Sequence, residues 1–280
     1  MATASGDFAN VLLIGALYNG IERGLSADIL ASKAADLQPK PVCSSIISAS
    51  NGRVTDVLAV PTDSVAAQLE HTLSVTPPAG VKIGIIGHHK TIAVAFDLLA
   101  DVDTGPVVLD LTLSGPSGED IISTRGRDAL SERMNQADVV TVHRRDAELL
   151  AGMEIQSLDD AQVAVQRLHK QGAANVLVRC GKIPARHFES EDDAGDFAVD
   201  LFYDGNDFGL FEAPLLPIAE QHGASSVLSI SLLKALLNEH STIESLQESK
   251  AAVTEALRAS VDDPPRPAPD YFWQLRSTGS

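Results

Sequence analysis

A chain of 280 residues with 44% apolar residues has enough hydrophobic material for a sizeable core, which excludes wholesale disorder and admits one large α/β domain or two small ones. Against 38 Asp and Glu stand 21 Lys and Arg, a formal charge of −17, which argues against a general nucleic-acid binder because phosphates need cations. Two cysteines, Cys43 and Cys180, exclude a disulfide scaffold and a multi-cysteine zinc site.

The acidity has two readings: adaptation to a salty cytoplasm in which screened carboxylates keep the surface hydrated, or an ordinary acidic cytosolic protein. Residues 1–7 carry no basic segment ahead of an apolar one, and no run reaches 18 apolar residues. Neither a secretory signal nor a membrane span is therefore expected, and the cytoplasm is the default.

In chain order, residues 11–15 (VLLIG) read as a buried strand and 25–35 as a helix. Residues 42–48 are rich in β-formers and lead to the turn signal Asn51-Gly52, and 57–60 form a short strand. Pro61-Thr62-Asp63 opens a helix to about residue 73, since Pro fits the first turn and Thr or Asp can cap it. Next come a strand at 82–86, a helix at 91–99, a strand at 107–111 with Asp110 near its end, and a helix at 127–134. A strand at 139–142 runs almost directly into a helix at 146–150. Ser157-Leu158-Asp159-Asp160 reads as a capping box for a helix to 171, and a strand at 176–178 ends at Arg179-Cys180-Gly181.

An acidic stretch at 189–196 is expected as an exposed loop. Residues 197–202 and 208–212 are paired strands joined by the hairpin signal Asp204-Gly205-Asn206. Gly223 begins an apolar helix, and Ser241-Thr242-Ile243-Glu244 boxes a last helix to about 260. The prolines of the run DDPPRPAP then exclude helix, and the tail carries Tyr271, Phe272 and Trp273, free in solution or docked on the body or on a second copy in a homodimer. The division expected is a tail at 1–9, one domain at 10–260 and a tail at 261–280. Repeated strand–helix units imply a mostly parallel central sheet covered by helices on both faces. Ligands bind such sheets beyond the C-terminal strand ends, here 15–19, 84–88, 110–112, 143 and 179–181.

The segment His222-Gly223-Ala224-Ser225-Ser226-Val227-Leu228-Ser229 leads small residues into an apolar helix. It reads either as a plain helix start or as an anion site made of free N–H groups at the positive end of the helix dipole. His88-His89-Lys90 reads as a polar helix start or as a contact for phosphate or metal, and Arg144-Arg145 as a solvated pair or as a grip on phosphates.

The 222–229 segment resembles the His-Gly-Thr-Gly-Cys-Thr-Leu-Ser signature of the ribokinase superfamily, in particular the hydroxymethylpyrimidine and phosphomethylpyrimidine kinases of thiamine biosynthesis. Gly24-Leu25-Ser26-Ala27-Asp28 is similar to that family's Gly-Ile-Gln-Ala-Asp. Lys82-Ile83-Gly84-Ile85 is similar to Lys-Ile-Gly-Met, with Val65-Ala66-Ala67-Gln68-Leu69 matching the helix before it. Val107-Val108-Leu109-Asp110 is similar to Val-Val-Leu-Asp, and Ala147-Glu148-Leu149-Leu150 follows a strand as the family's Glu-Ala-x-x-Leu does. The order of these segments over residues 10–260 carries the likeness.

The resemblance implies a ribokinase-like fold. It also implies ATP- and Mg²⁺-dependent phosphorylation of a hydroxymethyl group on a small heteroaromatic, a pyrimidine or its phosphate or, within the same class, a pyridoxal-type ring. It places Ser226 at the catalytic position, Gly223, Ala224, Ser225, Arg179 and His143 around the phosphates, Tyr18 and Ile85 against the substrate, and Asp110 and Asp146 at the metal. The family pattern is not kept throughout. Ser226 replaces Cys or Asp, and a neutral Ser is a poor base. Ser225 replaces Gly and adds a Cβ. Tyr18 replaces an acidic substrate contact and can stack on a ring but cannot take a proton. Thr141-Val142-His143-Arg144-Arg145-Asp146 replaces Thr-Pro-Asn-x-x-Glu, and Arg179 replaces Lys. A kinase with a degraded catalytic motif and a non-catalytic relative that binds a small ligand or a partner protein both remain open.

Overall fold

The computed structural model describes residues 8–20, 22–183, 197–216 and 223–261. The acidic stretch at 189–196, His222 and the two tails (apart from 8, 9 and 261) lie outside the described residues. Nine strands and eight helices follow in order: β1 Asn10–Tyr18, α1 Gly24–Ala34, β2 Gln38–Ser50, β3 Arg53–Ala59, α2 Thr62–Val75, β4 Gly80–Ile83, α3 His89–Ala100, β5 Val107–Leu111, α4 Thr124–Ser131, β6 Val139–His143, α5 Arg144–Ala151, α6 Leu158–Lys170, β7 Val176–Gly181, β8 Phe197–Tyr203, β9 Phe208–Pro214, α7 Ala224–Leu237 and α8 Thr242–Val261.

The strands form one sheet in the order β3-β2-β1-β4-β5-β6-β7-β8-β9. Its middle, β2 to β7, is parallel, while β3 pairs antiparallel with β2 at one edge, and at the other β8 pairs antiparallel with both β7 and β9. Successive residues of a strand face opposite sides, so β1 sends Leu12, Ile14 and Ala16 into a core under α2 to α6 and Val11 and Leu13 into a second core under α1, α7 and α8. Burial on both faces explains why the central strands read as unbroken apolar runs.

The expected elements are all present, with shifts at their ends. β4 ends at Ile83 rather than 86. Beyond it the chain leaves the ladder because side chains on β2 take over its backbone partners: Ser44 Oγ donates to the Ile85 carbonyl, and the Gly87 N–H donates to Ser45 Oγ at 3.0 Å. α3 starts at His89 with His88 at its N-cap, two residues earlier than expected. α4 starts three residues early, because Ser123 Oγ caps it by accepting from the Gly126 N–H, and Met134 falls in a separate short 3-10 turn. β2 begins at Gln38 in spite of Pro39 and Pro41. Over that stretch only β1 pairs with it, so the missing N–H groups can fall on the open flank. Both capping boxes form: Ser157 Oγ accepts from the Asp160 N–H, and Ser241 and Glu244 each accept from the other's N–H. Among the described residues no helix is long and apolar enough to cross a membrane.

Candidate active site

A cavity of about 850 Å³ opens at the C-terminal ends of β1, β4, β5, β6 and β7, walled by the first turn of α7 and by α8. Alternation along the strands decides what forms its floor. Val81 and Ile83 of β4 and Leu109 of β5 point into the core under α2 to α6, so Lys82 and Asp110 point the other way, toward α1 and α7. Thr141 is in register with Asp110, and Arg179 shares the face of Leu177 on β7.

These residues build a buried chain of charge. Lys82 Nζ donates to Asp28 of α1 at 2.8 and 3.0 Å and lies 3.6 Å from Asp110 Oδ2. Asp110 Oδ1 accepts from Arg179 Nη2 at 3.0 Å and from Thr141 Oγ1 at 2.9 Å. Ser225 Oγ lies 2.8 Å from Asp110 Oδ2 and 3.0 Å from Oδ1, and Arg179 Nη1 donates to the same Oγ at 2.6 Å. Burial by itself would raise the Asp110 carboxyl and lower Lys82. The Arg179 and Lys82 charges overcome it at Asp110, which is held below the usual carboxylate value, and Asp28 and Asp110 overcome it at Lys82, which is pushed up. Both Asp110 and Lys82 therefore stay charged near neutrality. Arg179 Nε is buried without a hydrogen-bond partner among the described residues.

Above this floor α7 begins at Gly223, whose φ of +83° is the left-handed region that glycine tolerates best, and among the described residues no side chain caps the helix. Its first turn, Gly223 to Ser226, lines the cavity. The structure therefore brings Gly223, Ala224, Ser225 and Arg179 together as the sequence suggested. Ser226 is nearly buried beside them. It is Ser225, not Ser226, whose hydroxyl meets a carboxylate.

Tyr18 and Ile85 line the same cavity. The Tyr18 ring lies against Gly24, where a Cβ would come within 2.9 Å of it, and burial pushes its phenol up to about 12 against the pull of Arg23. His143 lines the cavity next to Arg179 in register, and the guanidinium charge is the main reason its imidazole stays well below its ordinary value, hence neutral. Arg144 and Arg145 also line it, donating at 3.3 Å to the Lys182 and Pro116 carbonyls. The His88 and His89 rings lie 4.4 Å apart, tilted by 40°, and do not line this cavity.

Asp146 sits in the first turn of α5, where its carboxylate accepts from the Leu113 N–H at 3.0 Å and from Ser114 Oγ. Burial raises its pKa, and those two bonds offset the rise in part. Asp28, Lys82 and Thr141 were given no role from the sequence. The signal was available for two of them, a lone Lys inside the apolar run at 80–86 and a lone Asp among the apolar positions of α1. A buried ion in such a place needs a partner.

The sequence profile described as phosphomethylpyrimidine kinase matches residues 23–264. A hydroxymethylpyrimidine/phosphomethylpyrimidine kinase of Aquifex aeolicus is 29% identical over 250 residues, covering 89% of this chain and 94% of that protein. Its counterpart in Haemophilus influenzae is 27% identical, covering 88% and 90%. Among solved structures, the pyridoxal kinase from Staphylococcus aureus in complex with AMP-PCP and pyridoxal superposes with a TM-score of 0.77 at 24% identity, covering 90% of this chain and 89% of the other. The phosphomethylpyrimidine kinase from Clostridium difficile gives 0.72 at 22%, covering 89% and 99%. At these identities the two structures establish the ribokinase-like fold.

Proposed function

The chain belongs to the phosphomethylpyrimidine kinase family, and from that premise we propose that it transfers the γ-phosphoryl group of ATP to the hydroxymethyl group of a small heteroaromatic ring. The ring is a pyrimidine of the kind its relatives are named for, with a pyridoxal-type ring as the neighbouring substrate, and the reading places the protein in the cytoplasm. The observation that carries the proposal is the uncapped first turn of α7, which opens beside the Arg179 guanidinium in a cavity at the strand ends.

The substrate hydroxyl oxygen attacks the γ-phosphorus, the bond to the β,γ-bridging oxygen breaks, ADP leaves with that electron pair, and the hydroxyl proton passes to solvent water as the new P–O bond forms. Little covalent work falls to the protein, so positioning and charge stabilisation supply most of the rate. The N–H groups of Ala224, Ser225 and Ser226 and the Arg179 guanidinium are the groups that meet the charge on the transferring phosphoryl. Neutral His143 and the Arg144–Arg145 pair stand further along the phosphates. Tyr18 offers a flat face to the ring, with Ile85 packing beside it.

Mg²⁺, implied by the family, finds no binding cage among the described residues. Among the described residues no three His, Cys, Asp or Glu side chains converge to hold a metal. The Asp110 oxygens are engaged by Thr141, Arg179, Lys82 and Ser225, and those of Asp146 by Leu113 and Ser114. Mg²⁺ keeps most of its waters and binds phosphates readily, and no step written here runs through a protein-held ion.

Ser226 supplies a hydroxyl where the family supplies a thiol or carboxylate, and loss of a general base costs about 10² to 10⁴ in rate. Slow turnover is therefore expected. Steady-state ADP release with ATP and hydroxymethylpyrimidine, its phosphate or pyridoxal tests the proposal, with thermal shift run on the same ligands. ADP release dependent on one of these rings supports it. Binding without ADP release moves the chain to the non-catalytic relatives, and no binding of nucleotide or ring overturns the proposal.

A further inference from the structure

Two of the departures from the family pattern, Ser225 and Arg179, are the two ends of one hydrogen bond. Arg179 Nη1 donates to Ser225 Oγ at 2.6 Å, although the residues are 46 positions apart. The bond is one side of a closed triangle. Ser225 Oγ directs its own hydrogen to the Asp110 carboxylate, 2.8 Å from Oδ2, and Arg179 Nη2 donates to Oδ1 of the same carboxylate at 3.0 Å. The Arg179 side chain is 8% exposed.

The geometry constrains the guanidinium fully. With both terminal nitrogens held, by a hydroxyl on one side and a carboxylate on the other, the planar fork cannot rotate about its own axis. The nitrogen left over, Nε, is buried and unpartnered among the described residues. A buried N–H without an acceptor carries a desolvation penalty, and native structures keep such groups where something else completes them. The guanidinium lines the same cavity as the uncapped N–H groups of Ala224 and Ser226.

We propose that Ser225 is a positioning residue: its hydroxyl, anchored on Asp110, holds the Arg179 guanidinium in place beside the transferred phosphoryl group, and Ser225 and Arg179 act as one coupled unit. Glycine at 225 would leave Nη1 without its hydroxyl partner. Lysine at 179 would leave Ser225 without its donor and replace a fixed fork with a freely rotating point charge. Either change alone disturbs that placement, and once one is made the other has little left to disturb. The proposal rests on the anion site of the preceding subsection and goes beyond it in assigning the work to a pair.

The test is a double-mutant cycle on the full chain with inorganic phosphate as the probe, read by calorimetry. The variants are Ser225→Ala, Arg179→Lys, the double variant and Ser225→Thr, each checked for a cooperative melt. Ser225→Gly serves as a second deletion of the hydroxyl should Ser225→Ala not fold. Hydrogen bonds to charged groups set the expected size, a loss of roughly tenfold in phosphate affinity for each single variant. The double variant loses no more than the worse single one, and Ser225→Thr, which keeps the hydroxyl, retains affinity. In the turnover assay Ser225→Ala lowers kcat while KM for the ring is unchanged, a split that general loosening of the fold would not give. Multiplying losses in the double variant, or a Ser225→Thr protein as weak as Ser225→Ala, overturns the coupling while leaving the anion site standing. Phosphate binding unchanged in Arg179→Lys and in the double variant overturns the anion site itself.

Discussion

Replacing Lys82 with Met tests whether the buried charge chain holds the floor of the cavity together. Lys82 makes two bonds to Asp28, at 2.8 and 3.0 Å, and a third contact to Asp110 at 3.6 Å, with both side chains of the Lys82–Asp28 pair under 5% exposed. Asp110 keeps Arg179 after the change. Asp28 does not fare as well, because among the described residues Lys82 is its only ion-pair partner. Removing one member of a buried pair costs about 3–5 kcal/mol, since the other charge is left stranded. At about 2–4 °C per kcal/mol for a chain of this order of size, the melting temperature of Lys82→Met falls by roughly 6–20 °C at pH 7. The double variant Asp28→Leu/Lys82→Met removes both charges and recovers most of that loss. pH supplies a second readout. Lys82 is raised above its ordinary value of 10.5, so its contribution is complete below that value and is lost as pH rises through the folded pKa. The deficit of the variant is therefore full at pH 7 and narrows only above about pH 10.5. Differential scanning calorimetry measures all of this. A Lys82→Met protein melting within about 2 °C of the natural chain at pH 7 would refute the argument.

Three further outcomes follow from single features. Gly24→Ala puts a Cβ against the Ala16 carbonyl and within 2.9 Å of the Tyr18 ring at a φ of +57°; it should cost about 1–3 kcal/mol in urea unfolding, and a neutral effect would mean that α1 can shift to make room. Asp146 has a folded pKa raised above its ordinary 3.8, so its ionised form weighs against the fold in full above the folded value, progressively less as pH falls, and not at all below 3.8; Asp146→Asn should gain in melting temperature relative to the natural chain in mildly alkaline solution and lose that gain as pH falls toward 3.8, and a pH-independent difference would contradict the shift. If the charge of −17 is a salt adaptation, molar KCl should raise the melting temperature by screening repulsion among carboxylates; an unchanged value favours an ordinary acidic protein.

The fold was legible because burial on both faces of a parallel sheet leaves a plain mark, short apolar runs set off by amphipathic stretches. The same mark misled at one place. Ile85 and Ile86 extend the apolar run of β4 although the chain has left the ladder, because both are buried by loop packing rather than by strand pairing. Polar ends were harder to place than apolar middles: α4 opens on Thr124-Arg125-Gly126-Arg127, which carries no helical signature, and only the Ser123 cap fixes its start. In the site, the α7 start was readable from its small residues. The Asp110–Ser225 bond was not, since 115 positions separate its ends and a single sequence says nothing about which strand end faces which helix. That bond holds the hydroxyl of Ser225, one residue before Ser226, where the motif places the chemistry.

The distribution of charge explains how so acidic a chain can take a polyanionic substrate. Arg23, Lys82, Arg144, Arg145, Arg179 and Lys250 all line the one cavity, where they outnumber Asp110, Asp146, Glu148 and Asp200, in a chain that carries 38 acidic residues against 21 basic ones. Lys82 and Arg179 are neutralised by Asp28 and Asp110, and Lys250 pairs with Asp200 at 2.7 Å, which leaves Arg144 and Arg145, arginines less buried than these pairs. At long range an incoming nucleotide meets the field of the whole protein, which repels it. Within the cavity it meets those arginines and two helix starts, α5 and α7, that no side chain among the described residues caps. Salt acts unequally on the two. The Debye length of about 8 Å at physiological ionic strength removes most of the distant repulsion but little of the attraction at contact. An acidic surface and a cationic cavity are therefore compatible, and more so as ionic strength rises, which ties the composition of the chain to the chemistry of its site.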